Sequence, residues 1–236
     1  MRLFSWAFVA ATVGYLSGCA GVPPAKYAYT SGWQSPMSGT VAVLPIDFFV
    51  READQIELND DHRAEIQMII RSVASAHGLR VVDRGVGEAW QRALNEVGGM
   101  FDPVTGRVDK LKTQRIASRV LQRLEADYLV TPKLLYTLAE LTGSSARWDG
   151  VRRSVHGLDR ASESVVGTTH AISLELAVFA RDGERYSSQA GLIYPYRFIT
   201  PRRPMRFDPE PMMDRKQHIF EGVQLAFEPI LPQRSS

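Results

Sequence analysis

A single cysteine stands in 236 residues, and that scarcity excludes a good deal of chemistry. One thiol forms no disulfide within the chain and no cysteine cluster for zinc. No apolar run reaches the ~20 residues that a permanent membrane-spanning helix requires. The five histidines, His62, His77, His156, His170 and His218, form no His-Glu-x-x-His pair; each reads as a surface or core residue rather than a ligand. There is no Gly-x-Ser-x-Gly elbow and no Gly-Lys-Ser/Thr phosphate loop. Neither sign of charge dominates, with 28 Lys and Arg against 26 Asp and Glu. That balance argues against nucleic acid as a partner, since its binders carry a strongly basic face.

What is present begins with "MRLFSWAFVAATVGYLSGCAG". Arg2 precedes an almost unbroken apolar run from Leu3 to Leu16, followed by small residues, the layout of a secretory signal over residues 1–18. Leu16-Ser17-Gly18-Cys19 resembles the bacterial lipobox. The resemblance implies cleavage between Gly18 and Cys19, a diacylglycerol thioether on the thiol, and an N-acyl chain of the palmitate kind on the new amine. Each buried CH₂ contributes ~0.8 kcal/mol, so two or more chains anchor stably. Ala20 and Gly21 follow where an inner-membrane retention Asp would stand. An outer-membrane protein facing the periplasm is therefore expected ahead of an inner-membrane one. With the thiol consumed, no cofactor beyond the covalent lipid and no metal is expected.

Residues 19–39 are rich in Gly, Pro and Ser and read as the lipidated cysteine and a flexible tether. A single periplasmic domain is expected over 40–230. "TVAVLPI", 40–46, reads as a buried strand. A helix to about His77 places Ile66, Ile69, Ile70 and Val73 on one face, with Asp60 or Asp61 to cap it and Gly78 to stop it. "LRVVDR" then gives a second strand, parallel to the first by the crossover rule. Helices follow in "GEAWQRALNEV" and near 109–124, separated by a turn at "FDPVTG". "ADYLVTPKL" starts a strand in which Pro132 suggests an edge or a bulge. Residues 139–167 form a polar excursion or extended hairpin. "RDGE" then turns an antiparallel pair, and a basic, Pro-rich loop leads to a last helix near 210–227. The sum is an α+β domain, a mixed sheet of about five strands with helices packed on it.

Catalytic signals are weak. "NDDHRAE" gathers Asp60, Asp61, His62 and Glu65, which fit either a divalent cation or acidic capping of a helix N-terminus. Asp83 and Arg84 end a strand as a local ion pair or a sheet-edge site. Gly85 and Gly87 read as turn and helix entry. Two surfaces carry binding signals. "RWDGVRR" sets Trp148 among Arg152 and Arg153, residue types enriched in hot spots, or else folds Trp148 back onto the core. "ITPRRPMRF" sets Arg202, Arg203 and Arg206 beside Phe198, Met205 and Phe207, for an acidic partner, head groups or glycan, or as a solvated loop.

The order of lipobox, tether, "VAVLPI", helix, "GLRVVDR", helices, "ADYLVTPKL" and an antiparallel pair around "DGE" resembles a bacterial lipoprotein group. That group contains the curli-secretion pore subunit (CsgG) and the activator of penicillin-binding proteins (LpoB). The likeness covers about residues 40–196. It implies a periplasmic α/β domain that docks to other proteins in envelope assembly, secretion or wall synthesis, and it brings no catalytic residues. The charges of 139–167, Arg147, Arg152, Arg153 and Arg160 among them, make a poor lipid-facing barrel wall. A non-enzymatic anchored binder is thus the first expectation. A self-assembling ring or export component, a homo-oligomer, is the alternative, and a metal-dependent envelope hydrolase the third.

Overall fold

The computed structural model describes residues 24–29, 36–49, 60–82, 84–155, 166–193, 196–200, 203–206 and 216–231. Among these described residues eleven strands and four helices follow in chain order. They are β1 (Lys26–Tyr29), β2 (Thr40–Val43), β3 (Asp47–Phe49), α1 (Asp60–Ala76), β4 (Arg80–Val82), α2 (Val86–Val97), α3 (Lys110–Leu124) and β5 (Tyr128–Thr142). Then come β6 (Ser145–Trp148), β7 (Val151–Ser154), β8 (Val166–Ala180), β9 (Gly183–Ile193), β10 (Tyr196–Thr200), β11 (Arg203–Arg206) and α4 (Lys216–Phe227). The fold is α+β with a mixed sheet.

That sheet has nine strands among the described residues, with the path β1-β9-β8-β5-β2-β4, β3 and β6 paired with β5 off this path, and β7 paired with β6. The strand–helix–strand unit is confirmed: β2 and β4 pair in parallel, Val41 against Val81. The run "VAVL" is apolar throughout because its two faces meet different cores. Val41 and Val43 pack with α1 and α4 residues such as Ile66, Ile70 and Val223, while Ala42 and Leu44 pack with Ile116 and Val120 of α3. Helices therefore cover both faces, as parallel strands require. α1 ends as its sequence predicts: Gly78 takes φ +83°, and Leu79 N–H returns to Ala74 O at 3.2 Å, a glycine-terminated cap.

Three expectations change and one is narrowed. The sheet exceeds the five strands expected because short strands with weak periodicity, β1, β3, β6 and β7, add to it. The tether of 19–39 is not free throughout. Lys26–Tyr29 pairs antiparallel with β9, and Met37 is fully buried with its N–H on Ile230 O at 2.7 Å. Pro132 lies not at an edge but in β5, opposite Leu176 of β8. Its other flank falls in the break between the β2 ladder, ending at Val43↔Val130, and the β3 ladder, starting at Asp47↔Lys133. A residue without an N–H is accommodated in such a break. Finally, of the two forms expected for 139–167, a polar excursion or an extended hairpin, the described residues take the second: β5 runs on to Thr142, β8 begins at Val166, and β6 and β7 form a further hairpin between them.

Candidate interaction surfaces

The hairpin β6–β7 turns through Asp149-Gly150, with φ +36° and +84°, the left-handed pair that a tight two-residue hairpin demands. Ala146, Trp148, Val151 and Arg153 face inward while Arg152 and Ser154 face solvent. Trp148 is 1 % exposed and donates its indole N–H to Ile172 O at 3.3 Å. The expected binding role for Trp148 is thereby corrected: the indole closes a small core of its own with Ala139, Leu141 and Ala171.

Arg153 is corrected in the same way. It is 6 % exposed, paired with Glu221 of α4 at 2.8 Å and donating to His218 O at 3.0 Å. Burial draws its pKa down, against the Glu221 carboxylate, which raises it. This guanidinium ties the hairpin to α4 and is not offered to a partner. Of the "RWDGVRR" residues singled out, only Arg152 remains exposed.

The basic stretch expected as a loop is an antiparallel pair, β10–β11, with Thr200 opposite Arg203. Arg203 is described there as backbone only, and Arg202 lies outside the described residues, as do Gly18, Cys19 and Asp83. In "NDDHRAE", Asp60 and His62 are described only as backbone of α1, Asp61 is exposed, and Glu65 pairs with Lys216 of α4 at 2.6 Å. Among the described residues no group of three His, Cys, Asp or Glu side chains is placed to hold a metal.

A surface that sequence reading passed over lies between α2 and α3. Residues 98–109 form a small, tightly hydrogen-bonded loop. Asp102 Oδ1 accepts from Val104 N–H at 2.8 Å and Thr105 N–H at 2.7 Å, a local Asx-type turn. These bonds hold the Asp102 carboxyl below its usual range, with Thr105 the largest cause. Asp102 N–H meets Arg107 O, and Asp109 N–H meets Met100 O, both at 2.8 Å. Phe101 and Val108 are bridge partners between those two bonds, the arrangement that brings paired side chains closest on one face. Asp109 then caps α3 by accepting from Leu111 and Lys112, and Lys112 Nζ returns to Phe101 O at 3.2 Å.

This ordered loop exposes Phe101 by 51 %, Val104 by 91 % and Val108 by 53 %, and Leu111, in the first turn of α3, is exposed by 67 %. Single exposed apolar residues need no explanation; here several fall close together in the sequence, three on this loop and one at the start of α3. Arg107, Lys110 and Arg115 are exposed around it, whereas both carboxylates, Asp102 and Asp109, are engaged with backbone N–H groups. The exposed side chains of 101–115 thus include both apolar and cationic groups.

No family model matches this chain, and no curated protein does. Among solved structures, the hypothetical protein CT253 from Chlamydia trachomatis is similar over 66 % of this chain and 74 % of its own, at 16 % identity and a TM-score of 0.32. That likeness is too distant to bear on fold or function. No helix among the described residues is long and apolar enough to cross a membrane.

Proposed function

We propose that this protein is a non-enzymatic lipoprotein, anchored through lipidated Cys19, whose domain binds a protein partner in the cell envelope. The outer membrane, periplasmic side, is the location that Ala20 and Gly21 favour. The likeness to the CsgG/LpoB group is part of the same proposal and supplies its setting: envelope assembly, secretion or wall synthesis. The observation that carries the reading is the loop bearing exposed Phe101, Val104 and Val108, ordered by its own hydrogen bonds, with exposed Leu111 at the start of α3 and the exposed cations Arg107 and Lys110 close in sequence. It suits a partner surface that carries both apolar and acidic groups.

The test is affinity purification from membranes with the wild type, Cys19→Ala and Val104→Ser/Leu111→Ser proteins. The reading predicts a defined partner with the wild type that both variants lose. An identical set of proteins from wild type and loop variant overturns the assignment of this surface.

Self-assembly is the second reading, and one observation favours it. The sheet path ends at β1, a strand with all four side chains exposed that pairs on one side only among the described residues, the kind of edge to which a further strand can add. Sedimentation in detergent tests it; a monomer at working concentration contradicts it.

A further inference from the structure

The segment expected to be a loose spacer is fastened at several points. β1 pairs with β9 from Lys26↔Gln189 to Tyr29↔Tyr186. Tyr27 Oη donates to Leu225 O of α4 at 3.0 Å, and the rings of Tyr27 and Tyr29 lie 6.4 Å and 5.2 Å from that of Tyr186. Lys26 Nζ sits 3.2 Å from Asp149 Oδ1. Asp149 is the centre of the fastening. Its Oδ2 accepts from Ser173 Oγ of β8 and Gln189 Nε2 of β9, both at 2.7 Å. Its backbone O accepts from Gly191 N–H at 2.9 Å. Gly150 beside it has no room for a methyl group, because Ala25 and Leu225 fill the space.

This changes how far the domain reaches from a lipidated Cys19. A chain covers at most about 3.6 Å per residue. From Cys19 to Ala25 that is about 22 Å, against about 75 Å if the chain were free to Thr40. We infer that the β1 clamp keeps this end of the domain within about 22 Å of the bilayer. The inference rests on the proposed lipidation at Cys19; the clamp itself does not.

The test uses the full lipidated protein in vesicles. Arg152→Cys supplies a unique thiol for a fluorescent donor, because the Cys19 sulfur is blocked as a thioether; acceptors are placed on the lipid head groups. A second protein carries twenty Gly/Ser residues inserted between Gly21 and Val22. The inference predicts strong transfer in the first and a rise in mean height of about 25 Å in the second, from the coil dimension of the insert. Equal transfer from both, with both floating on vesicles, overturns the short leash. Failure of either to float without added detergent overturns instead the lipidation on which it rests. Asp149→Asn, which leaves Lys26 without its charged partner, is predicted to lower transfer toward the inserted protein; unchanged transfer contradicts the role given to Asp149.

Discussion

Gly191 of β9 has no side chain because the indole of Trp148 stands where one would go. A methyl group there would overlap Val151 Cγ2 and lie 2.7 Å from Trp148 Nε1. The β6–β7 hairpin is paired to β5 through β6, and this contact packs its turn against β9, so the pair helps to set how firmly the hairpin is seated. Gly191→Ala is expected to destabilise by about 1–3 kcal/mol through overpacking, and Trp148→Ala by about 3–5 kcal/mol through the cavity it leaves. In the double variant the added methyl enters part of that cavity, so the two effects sum to less than their separate total. Urea unfolding of the three variants checks this; strict additivity contradicts it.

Asp149→Asn separates backbone from charge. Asn tolerates the left-handed conformation at position 149, so the turn persists while the attraction for Lys26 is lost. Amide exchange over residues 26–29 is expected to accelerate while α1 and α3 keep their protection. Exchange read by mass spectrometry decides it, and unchanged protection in β1 removes the Lys26–Asp149 pair from the account.

Glu96 of α2 takes both Arg119 and Arg123 of α3. Those two hydrogen bonds, Arg123 first, pull its carboxyl down to about 2. A carboxylate whose folded value is depressed adds stability above the unfolded value, and that contribution fades as pH falls from the ordinary glutamate range through about 2. The wild type should therefore lose more stability than Glu96→Gln between pH 6 and pH 2.5, and the difference should shrink at high salt because the group is exposed. Parallel acid profiles of the two proteins contradict the coupling.

Much of the fold is legible in the sequence. The inward Ile66, Ile70 and Val73 of α1 follow the helical period, and "RDGE" does mark the turn from β8 to β9, although its central pair is Arg181-Asp182 and Gly183 already opens β9 opposite Ala180. The same signal stands in "ARWDGVRR", an Asp-Gly flanked by alternating residues, yet its arginines suggest a solvated loop. The structure resolves this by burying Arg153 against Glu221, a partner 68 positions away that no local pattern announces. β1 is illegible for another reason: all four of its side chains are exposed, so it has no inward set to betray it. The apolar loop of 98–109 is hidden because sequence shows that Val104 and Val108 are apolar and not that they stay outside.

Val104→Ser and Leu111→Ser remove apolar groups that touch little of the core. Their effect on stability is expected to lie within about 0.5 kcal/mol, in contrast to Trp148→Ala. Thermal unfolding of the paired variants checks the distinction; a large loss would mean that the loop is structural.

The central claim is that a defined partner meets the loop between α2 and α3. The most direct measurement is site-specific photocrosslinking in intact membranes, with the reactive group at Val104 and, as control, at Met68 of α1, which is also exposed. The account predicts one defined adduct from Val104 and none from Met68. Adducts of the same pattern from both positions, or none from Val104, would contradict it.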